Sequence, residues 1–87
     1  MPEIARFYGL IIKMFFAVRE HNPPHFHAFY QDYEAAFNAE GELIEGKMPP
    51  RQTKFIVAWA ELHKEEIIAN WELALAKEPL FRIDLLK

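Results

Sequence analysis

From Arg51 to Lys77 the chain holds neither glycine nor proline, and this uninterrupted run limits what it can fold into more than any other feature. Within it Phe55, Ile56, Trp59, Leu62, Ile67, Trp71 and Leu75 recur mostly at spacings of three and four, while Glu61, Lys64, Glu65, Glu66 and Glu72 fill much of the remaining surface. That period predicts an apolar helical stripe, carried by one long helix or by two that meet near His63. Pro50 suits a first helical turn, where its missing N–H is not needed, and Glu78-Pro79 ends the run.

The residues before this run read differently. Ile4 to Val18 is β-branched, aromatic and large aliphatic, which predicts a strand apolar on both faces, lying between a helical layer and a partner chain. Glu20 to Pro24 is a turn, because proline cannot donate to a ladder and pushes the residue before it out of the helical region. His25 to Gln31 and Tyr33 to Ala39 read as strands joined at Gln31-Asp32, and Glu40-Gly41 turns into a short strand at Leu43 to Glu45. The expected fold is α+β: an antiparallel three- to four-stranded meander packed on a long C-terminal helix or helix pair. A single domain over residues 1–87 divides into a β-rich half (1–47), a helical half (50–78) and an extended tail (79–87). The tail has alternating apolar positions that suit a sheet edge or a partner.

A chain of 87 residues has room for one core, and a chain this small buries only about 60% of its unfolded surface. Thirteen aromatic residues and a 52% hydrophobic content exceed what one such core needs, so a homodimer is expected. The absence of cysteine excludes disulfides, thiolate metal sites and cysteine nucleophiles; no serine is present, and no glycine-rich phosphate loop occurs. Net charge is −3, divided as +1 over residues 1–31 and −4 over residues 32–87. Without clustered Lys and Arg, composition argues against nucleic acid as a partner. The N-terminal residues lack the basic start and cleavage site of a signal peptide, and no apolar run approaches about 20 residues, so a cytoplasmic protein with no membrane span is expected.

Three of the four histidines fall in Glu20-His21-Asn22-Pro23-Pro24-His25-Phe26-His27. On a strand His25 and His27 project to one face about 6 to 7 Å apart, close enough for both to reach one divalent ion such as Zn or Ni. A third ligand is then required: His21 if the turn folds it back, Glu20 next, or Glu34 from across the hairpin. The simpler reading makes the histidines a solvent-facing stripe, with Phe26, Ala28 and Tyr30 facing the helix. An alternative catalytic reading is an RNA-cleaving toxin that uses His25 and His27 as base and acid and Arg51 to stabilise the phosphate. His63 and the Trp59 and Trp71 pair read as structural, the imidazole packing on tryptophan with one ring nitrogen bonded to a neighbour.

The stretches MPEIARFYGLIIKMFF, EHNPPHFHAFYQDYEAAF and MPPRQTKFIVAWAELHKEEIIANWELALAKEPLFRIDLL together resemble the bacterial family known as domain of unknown function 4160. The most specific parts are Pro23-Pro24-His25-Phe26-His27, Glu61-Leu62-His63 and Asn70-Trp71-Glu72. The resemblance implies no established activity. It does imply a small partner protein encoded nearby, in a toxin–antitoxin-like or paired regulatory module.

Overall fold

A computed structural model of the chain describes residues 2–15 and 23–83. Within them the element order is β1 (Glu3–Phe7), β2 (Leu10–Lys13), β3 (His25–Tyr30), β4 (Tyr33–Asn38), β5 (Leu43–Gly46), α1 (Pro50–Leu62) and α2 (Lys64–Leu75). The five strands form one sheet in sequential order, every neighbour antiparallel. The α+β class and the C-terminal placement of the helices follow the expectation, but the strand count does not.

Five strands replace three to four because the run expected as one strand from Ile4 is a hairpin. Tyr8 and Gly9 both take left-handed conformations, at φ 50° and 80°. Two such residues make the tight turn whose twist matches that of flanking strands. A bulky residue is uncommon there, and the Tyr8 ring rests on Phe55 with centroids 4.7 Å apart. Phe16 and Val18, the end of the expected strand, lie outside the described residues. The Gln31-Asp32 turn joins β3 to β4 as expected, with Gln31 at φ 51°.

The helical run resolves into two helices that break at His63 (φ −121°, ψ 26°). His63 ends α1 with its N–H donating to the Trp59 carbonyl, and its own carbonyl accepts from Ile67 in α2. The break shifts the phase of the stripe. Leu62 is 55% exposed, while Ala60, Ile67 and Ala74 join Trp59 and Trp71 in the core.

The core lies between these helices and one face of the sheet. Phe26 and Phe37, paired across β3 and β4, stack at 5.8 Å, and Trp59 meets Phe26 edge-on at 5.2 Å and Phe7 at 5.7 Å. Behind the helices the chain returns to the sheet. Asn70, fully buried, donates to the Phe81 carbonyl at 2.8 Å and accepts from the Phe81 N–H at 3.0 Å, clamping the extended segment that follows Pro79. Ile83 then donates its N–H to the Ile4 carbonyl at 2.8 Å, and Arg82 pairs with Glu3 at 3.1 Å. The tail therefore reaches the β1 edge of the sheet; residues 84–87 lie outside the described residues.

Candidate functional site

Alternation along β3 sends Phe26 and Ala28 into the core and leaves His25, His27 and Phe29 half-buried on the other face. Strand register carries that face across the sheet in two rows. One row runs Arg6, Ile11, Phe29, Glu34 through β1 to β4; the other runs Glu3, Lys13, His27, Ala36, Glu45 through all five strands.

His27 stands at the centre. The Phe15 ring meets it edge-on at 4.4 Å, and the His25 ring lies 5.5 Å away, inclined at 66°. His25 also rests on Trp71 of α2, with centroids 4.8 Å apart. Its Nδ1 donates to the Pro23 carbonyl at 3.0 Å. A carbonyl only accepts, so Nδ1 carries a proton, and in the neutral form of the ring the lone pair is on Nε2. Burial pushes the His27 pKa below the usual imidazole value and His25 adds to this, while the Glu34 and Glu45 carboxylates pull the other way. A neutral His27 is the result at neutral pH, with a ring nitrogen able to accept a proton or an ion.

Two shallow cavities of about 240 and 210 Å³ meet at this residue. They share His27, Ala36 and Glu45, and extend towards Glu34 at one end and towards Pro23 and His25 at the other. Glu34 therefore borders the groove of His27, as the metal reading requires of a carboxylate on β4. Even so, no three His, Asp or Glu side chains converge to hold an ion among the described residues. His21 and Glu20 lie outside them.

Arg51 is elsewhere. It lines a separate groove of about 480 Å³ with Tyr8, Tyr30 and Phe55, its guanidinium 5.9 Å from the Phe55 ring. That groove adjoins Tyr30, five residues along β3 from His25 and so roughly 17 Å away at strand rise. The fold does not gather Arg51 with the histidine pair. His63 packs beside Trp59 at 6.0 Å, and its Nδ1 bonds the Glu66 carboxylate, the structural arrangement expected of it.

Two residues of the site were not singled out from the sequence. Lys13 lies directly opposite His27 and holds its ammonium 5.2 Å from the Phe29 ring, and Glu45 closes the groove from β5. Lys13 had a legible signal, as the lone charge between Leu10 and Phe16. Glu45 had none, because its place depends on the β4–β5 register and the irregularity between Ala36 and Phe37.

Compared with known families, residues 9–72 match the one described as domain of unknown function DUF4160. The chain belongs to the DUF4160 family. In this DUF4160 member the matched span takes in the histidine pair, both cavities and most of the two helices, and leaves out β1 and the segment that returns to it. Neither a curated protein nor a solved structure matches the chain. Among the described residues no helix is long and apolar enough to cross a membrane.

Proposed function

We propose that this protein acts in the cytoplasm by binding other polypeptide chains, as one component of a paired, toxin–antitoxin-like module, rather than by catalysis. One observation carries the reading. The helices cover the face of the sheet where Trp59 meets Phe26 and Phe7; on the other face, which α2 reaches through Trp71 at His25, Ile11, Phe15 and Phe29 are half-buried and Ile44 of β5 is half exposed. Contiguous apolar surface of this kind marks an interaction site in a small soluble domain. The test is co-expression with the small protein encoded beside it. Stable co-purification, lost when Phe29 is replaced by Asp in a chain that still folds, supports the reading; separate elution of the two wild-type chains overturns it.

A second reading is favoured by the hydrogen bond from His25 Nδ1 to the Pro23 carbonyl. Backbone carbonyls fix metal-binding imidazoles in this way, leaving Nε2 to face the ion. Here a divalent ion such as Zn or Ni is held by His25 and His27, with His21 as third ligand. Calorimetric titration with Zn²⁺ tests it: about one equivalent bound by the wild type and none by a His25→Ala/His27→Ala variant is expected, and no binding to the wild type removes it.

A further inference from the structure

The open face of the sheet has a charge pattern that the sequence order conceals. Both rows have their basic residues at the β1–β2 side and an acidic residue at the far side. Arg6 opens one row and Glu34 closes it; Lys13 lies near the start of the other and Glu45 closes it. Glu3 is the one acid on the basic side, and it is already engaged by Arg6 at 2.8 Å and Arg82 at 3.1 Å, which hold its pKa down at about 2. That edge therefore remains net positive. Between the two charged margins lies the seam of Ile11, Phe29 and Phe15 with the two histidines.

A face of uniform charge selects a partner of the opposite sign. A face whose charge is divided about an apolar seam complements a copy of itself turned over. Turned about an axis parallel to the strands, a second sheet lays its β1–β2 half over the β4–β5 half of the first, so that Arg6 and Lys13 oppose the half bearing Glu34 and Glu45, twice. The seams then meet along β3. Stacked sheets pack about 10 Å apart with strands within about 30° of each other, which such an axis permits.

We infer that a second copy of this chain covers the open face, in an isologous dimer whose two-fold axis runs parallel to the strands. The interface is self-complementary, as two-fold symmetry demands. The inference rests on the reading of this protein as a binding component, and it makes the second copy the occupant that a paired partner protein must displace from this face. Two-layered sheets then fill the space between two outer helical layers, and the His25 and His27 rings lie inside.

Sedimentation equilibrium from low to high micromolar concentration tests it on the full chain, with circular dichroism to show that each variant folds. The wild type is expected to sediment as a dimer. Lys13→Glu alone and Glu45→Lys alone each put like charges together and weaken self-association by roughly 100-fold or more. Mixed in equal amounts, these two folded variants are expected to form a heterodimer, because each then meets opposite charge. A wild type that stays monomeric throughout, single variants as tight as the wild type, or a mixture that fails to associate would each overturn the inference. Failure here is separable from failure of the functional reading. A monomer that still co-purifies with the neighbouring gene product sinks only the dimer, and a dimer that binds no other chain sinks only the paired-module function.

Discussion

Residues 26 and 27 of β3 are neighbours in the chain and occupy opposite environments. Phe26 is fully buried against Trp59 and Phe37, whereas His27 stands half-buried over a shallow groove with Lys13 and Glu45 in its row. The two faces of one sheet thus divide the work of the molecule. The inner face holds the domain together by apolar packing, and its side chains have little room to vary. The outer face contributes less to folding and carries the histidine pair together with Lys13, Glu34 and Glu45.

The contrast is broken most severely from the inside. Phe26→Ala removes a ring from the centre of the core and should cost roughly 3 to 5 kcal/mol, while Phe29→Ala on the outer face should cost about 1 kcal/mol in a monomer. Urea unfolding of the two variants measures the difference directly; equal losses would mean that the outer face is as much a core as the inner one.

Asn70→Ala tests the clamp behind the helices. It takes away the partner of the Phe81 N–H and carbonyl at a part-buried position, so a loss of about 1 to 2 kcal/mol is expected, together with faster amide exchange at Ile83, whose bond to Ile4 depends on the same segment. Unchanged exchange at Ile83 would show that the tail holds the β1 edge without the clamp.

Smaller effects come from the titrating groups of the outer face. The His27 pKa is lowered by burial, so below the ordinary imidazole value near 6.5 the unfolded chain binds the proton more readily than the folded one. Its stabilising contribution is complete above that value and is lost as pH falls through the lowered one. Stability measured between pH 7.5 and 5 should therefore slope downward with acid, and His27→Gln should flatten that slope.

Glu3 acts in a more acidic window. Its carboxyl titrates at about 2 instead of 4.5 because Arg6, foremost, and Arg82 hydrogen-bond to it. The contribution is present above 4.5 and disappears as pH falls towards 2. Glu3 is half-buried but both of its arginine partners are exposed, so Glu3→Gln should change acid unfolding only slightly, the smallest of these effects. A large change would move the β1 edge from the periphery of the fold to its centre.

Much of this contrast is legible in the residues. Period-two alternation in His25-Phe26-His27-Ala28 already separates two imidazoles from two core side chains, and the structure keeps that separation. The apolar period after Arg51 announces helix. What alternation and period cannot convey is where a regular element stops when no strong breaker marks the place. The Tyr8-Gly9 turn sits in an apolar run with a bulky residue at φ 50°, and is held by the Phe55 ring, 47 residues downstream. The break at His63 contains neither glycine nor proline. The site shows the same division, for the histidine pair was visible whereas Lys13 and Glu45 were not joined to it.

The sequence by itself determined that strands precede helices, and which side chains of β3 share a face, because local propensity and side-chain alternation act over a few residues. Only the tertiary structure decided that there are five strands, that the helix divides at His63, and that the open face has basic residues at one margin and acidic residues at the other. Those features depend on the register between strands and on contacts between segments far apart in the chain. Register is set by the packing of the inner face against Trp59 and the buried side chains around it, and that packing places Lys13, His27 and Glu45 in one row.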